Sequence, residues 1–155
     1  SAIRIGHHRA LLMFQNVKGK LDYDRVEFER FIRRHKLTQF RLNPHFPVNT
    51  LLMLRAAAAA QIAGVPDSYI AAGMSAMWEK GLKMDDPDGF VSAMNDAGLD
   101  GQALLARANE DAVKEHLKQN TAAAVERGVF GTPTFFVGEE MFFGKDRLEH
   151  LEREL

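Results

Sequence analysis

Residues 128–143 read Gly128-Val129-Phe130-Gly131-Thr132-Pro133-Thr134-Phe135-Phe136-Val137-Gly138-Glu139-Glu140-Met141-Phe142-Phe143, and this stretch decides the fold. Thr134–Val137 and Glu140–Phe143 are short apolar runs flanking Gly138-Glu139, the pattern of two strands joined by a tight turn. A proline entering a strand is admissible at a sheet edge, where its missing N–H is not needed. A cis Thr132–Pro133 bond would leave the backbone N–H and C=O of Thr132 available to an extended, peptide-like ligand. An ordinary trans turn fits the spacing equally well. A lone hairpin is marginal in water, so this one needs further strands, and the chain barely contains any.

Upstream of the hairpin the pattern is helical. A helix is expected from Glu110 to Arg127, closed by Gly128, with short ones at 87–97 and 100–108 separated by Gly98. The Asp85-Asp86-Pro87-Asp88 run reads as a turn and cap. A further helix is expected from Asp67-Ser68 to about Lys83, with Ile70, Met74, Met77 and Trp78 on one face. Asn49-Thr50 supplies a cap for a helix over Leu51–Ala63, stopped by Gly64 and Pro66. Its five alanines at 56–60 suit close helix contact, and equally suit plain helix propensity. Asn43-Pro44 and Phe46-Pro47 keep 37–49 irregular, and another helix starts at Asp22. Residues 1–19 show only Ile3-Arg4-Ile5 as a short extended run. Downstream, Gly144-Lys145-Asp146 leads into a last helix over Arg147–Leu155, with Leu148 and Leu151 inward.

Composition narrows the function classes. The chain has 155 residues, 46% of them hydrophobic and 26% charged, which suits one folded domain. Twenty Lys+Arg against twenty-one Asp+Glu leave a net charge of -1, with no basic excess to draw nucleic acid or anionic membrane. There is no cysteine, hence no disulfide framework, thiolate metal site or cysteine nucleophile. His7-His8 lack carboxylates at useful spacing, so we expect a surface pair and no metal site. No apolar run reaches the ~20 residues of a membrane span.

The 128–143 stretch with its continuation Gly144-Lys145-Asp146-Arg147 resembles the C-terminal motif of the 2-hydroxychromene-2-carboxylate isomerases. These group with kappa-class glutathione transferases and bacterial disulfide oxidoreductases in the thioredoxin-like proteins. The likeness continues through Asn120-Thr121-Ala122, Asp85-Asp86-Pro87 with Ala97-Gly98-Leu99-Asp100, Asn43 to Thr50, and Lys20-Leu21-Asp22-Tyr23. It covers residues 20–155 well and residues 1–19 weakly. It implies an α/β, thioredoxin-like fold with a large helical insertion over 22–127 and a thioredoxin-like half over 128–155. The domain is single over 1–155, and the family's N-terminal strand, Ser-containing turn and helix are not in this sequence.

The resemblance also implies a ligand. The family binds glutathione, which would pair with the backbone of Thr132 beside Pro133. Phe143, Gly144, Lys145 and Asp146 would hold the γ-glutamyl end, the helix start taking its carboxylate and Asp146 its ammonium. Asp146 reads equally as an N-cap. Lys20 matches a lysine that meets a ligand carboxylate, or is a solvated lysine. Tyr23 reads as packing, and Glu27 stands where many relatives carry Asp. Arg4, His45, Phe46 and Asn49 fall where relatives line the substrate pocket.

The implied function is a glutathione-dependent isomerase of aromatic-hydrocarbon catabolism acting on a small aromatic carboxylate. A cytoplasmic location and homodimerisation follow by analogy. A kappa-like transferase, a thioredoxin-like oxidoreductase relative and a non-catalytic binding domain are the alternatives, and the missing cysteines count against the oxidoreductase. Because the family's activating serine is absent, the chain as given is expected to be inactive.

Overall fold

The structure is a computed structural model that describes residues 17–155. Arg4, His7 and His8 lie outside the described residues. Among the described residues, six α-helices precede a hairpin: α1 (Lys20–Arg34), α2 (Leu51–Ile62), α3 (Pro66–Trp78), α4 (Pro87–Asp96), α5 (Gly101–Ala108) and α6 (Asp111–Glu126). Strands β1 (Thr134–Val137) and β2 (Glu140–Phe143) follow, then a 3-10 turn (Lys145–Arg147) and α7 (Leu148–Glu154).

The helical bundle holds the buried core. α2 is its axis, packed against α3, α5 and α6. It can be approached closely because Ala56, Ala58, Ala59 and Ala60 present almost no side-chain bulk and are buried. Phe90, Met84 and Met94 fill the space between helices as the largest fully enclosed side chains. Asp86 and Asp100 cap α4 and α5 by accepting from the N–H groups of Gly89 (2.9 Å) and Ala103 (2.8 Å).

Two expectations for α3 need correction. The helix stops at Trp78, not near Lys83, because Gly81 takes a left-handed φ of 66° and turns the chain back, so that the Leu82 N–H reaches the Ala76 carbonyl. The buried face is Tyr69, Gly73, Ala76 and Met77. Of the expected stripe only Met77 is buried; Trp78 is half-covered, while Ile70 and Met74 face out at 56% and 58% exposure.

β1 and β2 pair antiparallel with Thr134 opposite Phe143 and Val137 opposite Glu140. The register sets Phe135 beside Phe142 on one face and Phe136 beside Met141 on the other, so both faces are apolar. Arg127, just past α6, lays its guanidinium 3.6 Å from the Phe136 ring centroid. Among the described residues, none in α1, β1, β2, the 3-10 turn or α7 is fully buried.

Candidate functional site

The open end of the hairpin is where sequence and geometry converge. The peptide bond between Thr132 and Pro133 is cis, as is that between Phe46 and Pro47. The Gly144 N–H donates to the Pro133 carbonyl at 2.9 Å and closes the corner between the strand entry and the strand exit. Six expected residues, Thr132, Pro133, Phe143, Gly144, Lys145 and Asp146, therefore meet in one place. Gly144, with φ 93° and ψ 155°, takes a backbone conformation open mainly to glycine. Gly131 must be small for a different reason. A Cβ there would come within 2.9 Å of the Phe143 ring, which also lies against Phe130 at 4.6 Å between centroids.

The corner is accessible. Thr132 and Pro133 are exposed, and the Thr132 backbone has no hydrogen-bond partner among the described residues. Thr134 Oγ1 donates to the Gly131 carbonyl at 2.6 Å and fixes the loop from its far side. Lys145 and Asp146 form an ion pair at 2.5 Å. Asp146 therefore lies inside the 3-10 turn with its carboxylate on its neighbour, and it does not cap α7 as an N-cap reading had it. The leading N–H groups of the turn have no intrahelical acceptor, as at any helix start.

α1 connects this corner to the second group of expected residues. Lys145 Nζ sits 5.0 Å from the centroid of Phe31. One turn away on α1, Phe28 meets Phe40 edge-on at 5.2 Å. Phe40 stacks on Trp78 at 5.9 Å, and Trp78 meets Phe46 at 5.8 Å. Phe28 and Phe31 are neighbours on the helix surface, so the hairpin corner and the 43–49 loop lean on one stretch of α1.

Within that loop the roles divide. Phe46 is 44% exposed and offers an aromatic face. His45 is exposed, and its backbone N–H donates to Asn43 Oδ1 at 2.8 Å. Asn49 is engaged in local structure: its side-chain oxygen accepts from the Leu51 N–H (3.2 Å), taking over the cap that Thr50 does not make. Its backbone N–H donates to Asp85 Oδ2 at 3.1 Å, while the enclosed Asp85 Oδ1 has no partner among the described residues. Lys20 stands apart. It pairs with Asp24, and Phe31 follows it by eleven residues, about 16 Å along the helix axis.

Sequence reasoning missed Asn43. It is 2% exposed, and its amide donates to the carbonyls of Met77 and Leu82, both at 2.9 Å. Together with the Arg41 N–H on the Trp78 carbonyl, it terminates α3 and holds the loop. An Asn before Pro in a loop reads as a breaker, and only the partners show it to be an anchor.

Comparison with known proteins adds four findings. A DSBA-like thioredoxin domain profile matches residues 4–155. The chain is 31% identical over 144 residues to a 2-hydroxychromene-2-carboxylate isomerase of Pseudomonas putida, covering 89% of this chain and 66% of that protein. It is 32% identical over 82 residues to human glutathione S-transferase kappa 1, covering 48% of this chain and 36% of that one. A solved structure of 2-hydroxychromene-2-carboxylate isomerase superposes with a TM-score of 0.73 at 30% identity, over 90% of this chain and 67% of the other.

Proposed function

We propose, from the premise that the chain belongs to the DSBA-like thioredoxin domain family, that it binds glutathione at the Pro133–Gly144 corner. The reaction it serves is of the 2-hydroxychromene-2-carboxylate isomerase type, on a small aromatic carboxylate. The observation that carries this reading is the Gly144 N–H to Pro133 carbonyl bond. It sets the exposed Thr132 backbone, without a hydrogen-bond partner among the described residues, beside a helix start bearing Lys145 and Asp146.

The residues fit such a ligand in parts. The Thr132 N–H and C=O suit the antiparallel backbone of a cysteinyl residue. Lys145 and the leading N–H groups of the 3-10 turn suit a carboxylate, and Asp146 suits an ammonium. Phe46, with Trp78 and Phe40 behind it, offers apolar area to an aromatic acid, and His45 stands beside it. When bound, glutathione would supply a thiol for reversible addition to a conjugated carbon of the substrate. Lowering the thiol pKa calls for a nearby hydroxyl donor. Ser68 and Ser75 lie on α3 and Ser92 on α4, so no described serine stands at the corner. The chain as given is therefore read as binding the ligand without efficient turnover.

Titration calorimetry with glutathione and S-methylglutathione tests the binding. Saturable binding is expected, weakened about tenfold in Asp146→Ala, the scale of one charge-assisted hydrogen bond. Absence of binding, or equal binding by the variant, removes the reading. Assaying chromene isomerisation beside chloronitroaromatic conjugation separates an isomerase from a transferase. Full turnover by this chain in either assay would overturn the inactive reading.

A further inference from the structure

The aromatic array beside the 43–49 loop carries a charged rim. Phe40 stacks on Trp78 with 19° between the ring planes, and Phe46 meets the same indole at 47°. Three rings thus form one surface, with Phe46 at its exposed end. Backbone fixes this arrangement, because the Arg41 N–H donates to the Trp78 carbonyl at 2.6 Å. Arg41 is therefore attached where the rings meet, and its apolar stem suits it to lie along such a surface with the guanidinium in water. It is exposed and forms no ion pair among the described residues.

The carboxylates that flank the array along the chain are engaged elsewhere. Glu79, next to Trp78, accepts from the Ser75 hydroxyl at 2.6 Å, and Asp85 accepts from the Asn49 backbone N–H at 3.1 Å. An apolar aromatic face beside a guanidinium without an anion is the pairing that selects a ring bearing a carboxylate. We propose that Arg41 is the specificity-determining residue of this surface, taking the carboxylate of an aromatic acid whose ring lies against Phe46. This rests on the reading of the substrate as an aromatic carboxylate, and it adds the residue that chooses the acid over a neutral ring of the same size. Lys80 also lacks an ion pair among the described residues and is the competing cation. A guanidinium fork matches both carboxylate oxygens at once, whereas an ammonium offers a point charge.

Trp78 is the sole tryptophan of the chain, so its fluorescence reads this surface. 3-Phenylpropionate titrated into the full chain should change Trp78 emission saturably, about tenfold more tightly than its neutral counterpart 3-phenylpropionamide. Arg41→Gln should lose about tenfold for the acid and nothing for the amide, and Arg41→Lys should lose less. Lys80→Gln should bind the acid as the unaltered chain does. Far-UV circular dichroism checks the fold of each variant, and the comparison of acid with amide on the unaltered chain needs no variant at all. No saturable change, equal affinity for acid and amide, or acid binding that responds to Lys80→Gln and not to Arg41→Gln overturns the assignment. Glutathione calorimetry on the same chain separates the two readings. Glutathione binding without a response to phenylpropionate removes the role of Arg41 alone, and Arg41-dependent phenylpropionate binding without glutathione binding removes the corner alone.

Discussion

At the scale of single residues, the molecule depends on two buried polar groups with fixed partners. Asn43→Ala would strip donors from the Met77 and Leu82 carbonyls, and an enclosed acceptor left unmade costs on the order of 1–3 kcal/mol. We expect a loss of about 2–3 kcal/mol, read as a lower urea midpoint with unchanged slope. Tyr69 gives a prediction in pH. Its hydroxyl donates to the Met53 carbonyl at 2.8 Å, and burial pushes its pKa well above the ordinary phenolic value of 10.0. The unfolded chain ionises this tyrosine first. The stability it confers is therefore whole below about pH 10 and is lost as the pH climbs beyond. Phenolate absorbance from Tyr69 should appear only together with the loss of circular dichroism, and Tyr69→Phe should remove that coupled step.

At the scale of elements, close approach between α4 and α5 rests on Gly101. A Cβ there would lie 2.4 Å from the Val91 carbonyl oxygen and 3.0 Å from its Cα, and backbone cannot yield as a side chain can. Gly101→Ala should cost about 1–3 kcal/mol and lower the thermal midpoint, although alanine is the better helix former. The same scale shows what is legible in sequence. Both strands are legible to the residue, because a two-residue turn between apolar runs fixes period and register together. The cap within Asp85-Asp86-Pro87-Asp88 is legible because capping is local chemistry. The inward face of α3 is not. Period alone selects Ile70, Met74, Met77 and Trp78, and only tertiary packing shows that Tyr69, Gly73 and Ala76 take the core side. The gathering of residues 132–133 with 143–146 follows from the hairpin. The link from Lys145 through Phe31 and Phe28 to Phe40, Trp78 and Phe46 depends on how α1 lies, which no local signal encodes.

At the scale of the whole molecule, burial is uneven, and the unevenness makes a last prediction. Among the described residues, the buried hydrophobic ones run from Ala56 to Val113, all within the α2–α6 bundle or the turns between its helices. The hairpin, the 3-10 turn, α7 and α1 contribute none. Among the described residues, α1 meets these C-terminal elements through an exposed pair between Arg34 and Glu149 at 3.4 Å and the Lys145–Phe31 contact, and exposed ion pairs contribute little. Local opening free energy follows buried apolar contact. Hydrogen exchange should thus divide the chain in two. Amides of α2 to α5 should exchange only through global unfolding, whereas β1, β2 and α7 open at lower cost and exchange faster. If glutathione sits at the Pro133–Gly144 corner, saturating ligand should slow exchange in residues 132–147 and leave α2 to α5 unchanged, since ligand stabilises only the opening that destroys its site. Equal protection across both halves without ligand would mean that the hairpin is anchored by more than the contacts described.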